Sequence, residues 1–412
     1  MGLSKTKENV AIGFVTGRKS FQKVLKTYGY HWQGLIQEHP MNIHLIVAYD
    51  LNYKHTKVED YVLLQPKLRN VFQSVLFLGP KEIHQMIEEL CSSGVLTRDA
   101  ADLLFEKGYA GKRNAVLYAA IRKNMDALLF LDDDEYPLAV THQHQVALWS
   151  GQDVFREHIR NLRKYDVTNG YHCGYISPIP HLDFNAEFTA DDFRLLIEAV
   201  SNDILNWANI QEIMQNGGVT YADPNVFIEH KTIALEKGGG DGLPISGSNL
   251  GISLQNVKRT VPFFNPPGAR GEDTFFSLSL TRQKAARIPV YTFHDGFMQY
   301  PGILNGALPQ HLKQVEAFDA GVPERFYHAC IGWFRYKPLL MYATDSAVYQ
   351  SQAKELIRKL RSTMPKLEAY FHLPFNQTIR EFVRFSNRVQ MDYESYQCNL
   401  AAWQKLTGKL DS

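Results

Sequence analysis

Cysteine is scarce in this sequence. Cys91, Cys173, Cys330 and Cys398 are the only four, and they lie too far apart for metal-ligand spacing. That excludes a disulfide-stapled scaffold and a cysteine zinc site. Scattered thiols point to a reducing compartment, so a cytoplasmic location is expected. Long apolar runs are also missing. No stretch is long enough to span a bilayer, and the first residues do not read as a secretion signal. Charge of one sign is missing too. With 44 Lys and Arg against 43 Asp and Glu the net charge is +1, which removes the electrostatic case for nucleic acid as a partner. There are no internal repeats and no low-complexity segments.

What is present is ordinary globular composition, 45% hydrophobic and 21% charged, over 412 residues. That length suits one large domain with an appendage, or two domains. The first part alternates short apolar runs with helical patterns. Strands are expected at Val10–Val15, Ile43–Tyr49, Ser74–Leu78 and Ala127–Leu131. Three helices fall between the last two: one bearing Ile83, Met86, Ile87 and Leu90 and stopping at Gly94, one opening at Thr97 as N-cap, and one presenting Leu117, Ala120 and Ile121. Such alternation implies a mostly parallel sheet covered on both faces, with ligands at the carboxyl ends of its strands. Thr16-Gly17-Arg18, Asp50 and the acidic run from Asp132 fall at those ends. Further on, Phe193, Leu196, Ile197, Val200 and Ile204 mark a long amphipathic helix. "LPISGSNLGISL" reads as a strand, and "IPVYTFHDG" as a strand ending at His294-Asp295. From about Leu312 the pattern is helical.

The sharpest feature is "LLFLDDDEYP", an apolar strand that stops at Asp132, Asp133, Asp134 and Glu135. Adjacent carboxylates repel, so each wants water or a counter-ion. Either the run is a solvated turn, or it faces something strongly positive. Two carboxylates at i and i+2 after a strand can converge on one point, and oxygen ligands of this kind select Mg²⁺ or Mn²⁺. Mg²⁺ takes only one or two carboxylates and fills its shell with water and substrate phosphates. The buried strand before the acids favours the second reading.

With these residues in view the chain resembles the GT-A fold glycosyltransferases, in particular the large family that includes bacterial polysaccharide transferases. "LLFLDDDEYP" resembles their Asp-x-Asp motif, and "GYAGKRNAVLYAAI" the helix before it. "SGSNLGISL" resembles the small-residue strand beside the sugar pocket, "RGEDTFFSLSL" the Glu-Asp pair opening the acceptor-side helix, and "FHDG" the late histidine. The likeness spans roughly residues 8 to 300. It implies an α/β, GT-A (Rossmann-like) mostly parallel sheet flanked by helices in residues 1–305, with a C-terminal helical extension in 306–412.

The same resemblance implies roles. Asp134 would bind Mn²⁺ or Mg²⁺, Asp132 the donor's ribose or the metal through water, and His294 the metal as a neutral imidazole. The donor side would comprise Thr16, Gly17, Arg18, Asp50, Lys112, Arg113, Asp132, Asp133, Ser248 and Asn249. Asp273 would be the base that takes the acceptor's proton, with Glu272 orienting the acceptor. Each has a plainer alternative: a strand-end histidine, a turn aspartate at Asp50, a solvated basic helix end at Lys112 and Arg113, and helix-start acids answering the macrodipole at Glu272 and Asp273. The expected function is metal-dependent transfer of a sugar from a UDP- or GDP-sugar to a carbohydrate or lipid-linked acceptor, with inversion. Alternatives are a retaining transferase, a sugar nucleotidyltransferase and an inactive scaffold. "VTGRKSFQKV" has one glycine where a nucleotidyltransferase carries a Gly-rich signature.

Other features stay outside that pattern. The glycine-rich "KGGGDG" would be a flap over the donor. His142 and His144 share a strand face without a third ligand nearby. Arg380, Arg384 and Arg388 fall on one helix face and suggest either peripheral contact with anionic membrane or a solvated basic face, with Phe382 and Val383 suiting a core or a homo-oligomer seam.

Overall fold

The computed structural model describes residues 7–38, 41–106, 108–143, 146–175, 178–201, 206–237, 242–296 and 298–410. Eleven strands are described: β1 (Glu8–Thr16), β2 (Met41–Tyr49), β3 (Ser74–Leu78), β4 (Ala127–Leu131), β5 (Glu135–Tyr136), β6 (Leu138–Gln143), β7 (Val146–Gly151), β8 (Val167–Tyr175), β9 (Ile233–Leu235), β10 (Leu250–Ser253) and β11 (Ala285–Asp295). Nine of them form one sheet in the order β3-β2-β1-β4-β10-β8-β11-β5, with β9 also on β11. β6 and β7 form a separate antiparallel hairpin.

The apolar runs of β1 and β4 are continuous because both faces are covered. Val10, Ile12 and Phe14 of β1 and Ala127, Leu129 and Leu131 of β4 point into one core. Ala11 and Val15 of β1 and Leu128 and Phe130 of β4 point into the other. The helix Gly108–Arg122 lies on that second face, where Val116 and Leu128 meet Gly13.

The sheet is mixed, not mostly parallel. Its parallel pairs are β1 with β2, β1 with β4, β2 with β3, and β8 with β11. Its antiparallel pairs are β10 with β4, β10 with β8, β11 with β5, and β11 with β9. The reversal arises because the chain enters the slot between β4 and β8 from the site end. "LPISGSNLGISL" is accordingly not one strand. Only Leu250–Ser253 pairs, and the preceding loop is held by side chains instead. Asn169 of β8 donates to the carbonyls of Ser248 and Asn249, each at 3.0 Å, and Asn249 takes a left-handed backbone at φ 46°.

The helix bearing Phe193 and Leu196 runs Ala190–Val200, shorter than its apolar spacing suggests. Ile204 lies outside the described residues, as do His144 and the Gly238–Asp241 part of the expected flap. The last hundred residues form four helices, Val322–Thr344, Tyr349–Phe371, Asn376–Ser386 and Val389–Leu410. They share a core with the middle of the chain: Phe326, Leu360, Met364 and Phe371 pack with Phe193, Leu196 and Ile197. Arg388 falls in the turn between the last two helices, not on one face with Arg380 and Arg384. Arg384 pairs with Glu381 at 2.6 Å, and Arg388 with the buried Asp392 at 2.7 Å. Among the described residues, no helix is long and apolar enough to cross a membrane.

Candidate functional site

Parallel register places the strand ends side by side. Thr16 is level with Tyr49, and Phe14 with Leu131. Thr16, Asp50 and Asp132 therefore emerge at one edge, where β1 has β2 on one flank and β4 on the other. Such a switch in strand order opens a crevice at the carboxyl ends.

The acids there are answered by cations and hydroxyls. The Thr16 hydroxyl donates to Asp133 Oδ2 at 2.5 Å and accepts the Arg18 amide at 3.1 Å. Arg18 Nη1 lies 3.1 Å from Asp133 Oδ1 and 2.5 Å from Asp134 Oδ2. His294, near the end of β11, places Nε2 at 3.4 Å from the same Asp134 oxygen. Burial alone would raise the Asp134 carboxyl, but His294 and Arg18 outweigh it and hold the group well below the usual range. Burial pushes Asp132 and Asp133 upward, against the pull of Arg113 and Arg18 respectively, and neighbouring carboxylates add to the rise.

The basic pair at the start of the Gly108–Arg122 helix splits between two tasks. Lys112 Nζ lies 2.8 Å from Asp50 Oδ2. Asp50 also caps its own turn, accepting the Asn52 amide at 2.8 Å. Arg113 is buried. It donates to the Gly247 carbonyl, lies 3.4 Å from Asp132, and stacks near the rings of Tyr109, Phe130 and Phe263. Close approach explains two glycines here. A Cβ on Gly17 would sit 2.9 Å from Tyr53, and one on Gly247 would sit 3.0 Å from the Arg113 guanidinium.

Glu272 and Asp273 open the helix Glu272–Ser279, after Gly271 at φ 109°. Asp273 accepts the Thr274 amide at 2.9 Å. Burial, with repulsion from Glu272, raises its pKa to about 6. Ser248 and Asn249 sit on the loop before β10. The Ser248 hydroxyl donates to Glu135 at 2.5 Å. Asn249 Oδ1 meets His158 Nε2 at 2.9 Å, and its amide donates to the Tyr171 carbonyl at 3.0 Å.

Thr16, Arg18, Asp133, Asp134 and His294 are thus linked by direct contacts, with the Arg113–Asp132 pair next to them along the acidic run. Asp50 and Lys112 form an adjoining pair at the same edge. A second network escapes sequence reasoning. Glu135 is buried and receives Ser248, Thr292 and His172. Burial would raise it; His172, followed by His294 and Ser248, holds it below the usual range. Its partners lie 37 to 157 residues away, so no local spacing reveals them.

Asp134 Oδ2 and His294 Nε2 face each other, one oxygen and one nitrogen donor 3.4 Å apart. Among the described residues, no group of three or more His, Cys, Asp or Glu side chains is arranged around a metal position. Two protein donors suit a cation that draws the rest of its shell from phosphate oxygens and water. His142 is exposed and rests 4.3 Å from Tyr221, centroid to centroid. All four cysteines are free. The chain matches no family model and no curated protein sequence.

Proposed function

We propose that this protein is a metal-dependent glycosyltransferase of the GT-A kind, moving a sugar from a nucleoside-diphosphate sugar to an acceptor hydroxyl with inversion. The observation that carries this reading is the convergence, at the β1/β4 crevice, of the Asp132–Asp134 acids, His294 and the cations Arg18 and Arg113, with the Asp50–Lys112 pair beside them. Acids that only needed solvating would not require buried cations around them.

Asp134 and His294 would hold Mn²⁺ or Mg²⁺, with Asp132 beside them. When bound, the cation offsets charge gathering on the departing diphosphate. Arg18 would turn from Asp133 and Asp134 towards phosphate oxygens, and Lys112 adds to the same field. Thr16 fixes Asp133, so the β1 end stays in place while Arg18 moves. Asp50 presents an acceptor to the nucleoside. Asp273, ionised above about pH 6, takes the acceptor's proton, and Glu272 orients that acceptor. The acceptor is a carbohydrate or lipid-linked sugar.

A screen of UDP- and GDP-sugars with Mn²⁺, read as released nucleoside diphosphate, tests this. Turnover that persists in excess EDTA refutes the metal. Release of pyrophosphate instead makes the protein a nucleotidyltransferase. Absence of any thermal shift with nucleotide and metal leaves a scaffold.

A further inference from the structure

The proposed sugar transfer assigns no step to Ser246, His172 or Glu135. Ser246 Oγ lies 2.6 Å from Nε2 of His172. Nδ1 of the same ring lies 3.2 Å from Oε1 of Glu135. The three residues come from the loop before β10, from β8 and from β5. A hydroxyl on one imidazole nitrogen and a carboxylate on the other is the nucleophile, base and orienter arrangement of acyl-transfer sites.

The donors and acceptors place the protons. Glu135 accepts the Ser248 hydroxyl at 2.5 Å and the Thr292 hydroxyl at 2.7 Å, so its carboxylate is an acceptor on both oxygens. Nδ1 of His172 faces two acceptors, Glu135 Oε1 at 3.2 Å and, at 3.1 Å, the Thr292 oxygen whose own proton goes to Glu135, so the ring proton sits on Nδ1. The neutral ring then turns the lone pair of Nε2 to Ser246. The Ser246 hydroxyl has one other acceptor, the Ser248 carbonyl at 2.9 Å, and Nε2 is the nearer. Asn169 holds the segment from the other side, accepting the Ser246 amide at 3.1 Å. Ser246 and His172 are both only partly buried. Arg113 donates to the carbonyl of the next residue, Gly247, and its Nε has no hydrogen-bond partner among the described residues. The Arg113 guanidinium thus rests against the backbone one residue from the serine.

We propose that Ser246, His172 and Glu135 form a nucleophilic triad that cleaves carboxylic esters, an activity separate from sugar transfer. Ser246 Oγ adds to the ester carbonyl carbon as its proton passes to Nε2 of His172, and the carbonyl electron pair moves onto oxygen. Collapse breaks the bond to the alcohol oxygen, which leaves with the proton from His172. Water then attacks the acyl-serine with the same base, releasing the carboxylic acid and restoring Ser246.

The full chain treated with a fluorophosphonate, with adducts mapped by peptide mass spectrometry, decides the matter. Ser246 should label at least about a hundredfold faster than exposed Ser351 and Ser362 in the same molecule, the scale of base assistance. His172→Gln, folded by thermal melting, should lose that advantage and a similar factor in p-nitrophenyl acetate hydrolysis. Labelling of native Ser246 no faster than Ser351 overturns the triad, as does equal labelling in folded His172→Gln. Because the comparison with Ser351 is internal, a variant that fails to fold does not decide the outcome. Neither result depends on a nucleotide sugar, so failure of sugar transfer leaves this test intact.

Discussion

Arg18 Nη1 lies 2.5 Å from Asp134 Oδ2, on the oxygen that also faces His294. The guanidinium offsets the charge of the acids proposed to hold a cation. Arg18→Ala leaves Asp133 and Asp134 buried without it. The variant should lose about 3 kcal/mol, the scale for an uncompensated buried carboxylate. Mn²⁺ should then raise its melting temperature more than it raises that of the parent. Equal melting with and without Mn²⁺ would remove the metal from the site.

Asp273 is expected to act after the donor binds. Asp273→Asn should lower kcat by roughly a hundredfold and leave donor Kd unchanged in calorimetry. Below its raised pKa of about 6 the carboxyl is protonated and cannot accept a proton. The parent's kcat should therefore rise with pH through that region, and the variant's should not. An unchanged limb in the variant would assign the proton to another group.

His158 gives a stability prediction with a definite sign. It is fully buried between Thr168 and Asn249, and burial lowers its pKa to about 4 from 6.5. The folded state then binds fewer protons than the unfolded state between those values. The contribution is complete above 6.5 and lost as pH falls towards 4, on the order of 3 kcal/mol in all. Melting temperature should drop across that window. His158→Gln should flatten the drop even if it melts lower throughout.

Arg388 and Asp392 make a similar case in the helical region. Asp392 is 2% exposed, and Arg388 lies 2.7 Å from it. Arg388→Ala should cost about 3 kcal/mol by chemical denaturation, and adding Asp392→Leu should recover most of it. Additive losses would show that the pair contributes no coupling.

The central strands were legible because two-faced burial writes itself as unbroken apolar runs. Ala127–Leu131 has the expected bounds, as does the half-buried edge strand Ser74–Leu78, and Thr97 caps its helix through the Ala100 amide. The direction of β10 was not legible. Four residues carry no sign of which neighbours they join, and the loop before them is fixed by Asn169, 77 to 80 residues away. In the site, the acids announced themselves and their partners did not. Arg18 and Lys112 were expected on the donor side, yet what they touch is set by sheet register. Glu135 stood in plain view in the acidic run, but its ties to His172 and Thr292 exist only once β8 and β11 are side by side.

Trp403, on the last long helix, is fully buried in the core beneath β4 and donates to the Thr260 hydroxyl at 3.0 Å. On the same helix Tyr396 meets Ser279 at 2.7 Å, at the end of the helix that Asp273 begins. A nascent chain can therefore pair β1 to β4 long before this helix is made. The flank formed by the Arg98–Phe105 helix and the Val257–Arg259 turn, which this helix covers, stays open to chaperones until Trp403 has left the ribosome, and clipping the helix in the finished protein would reopen it.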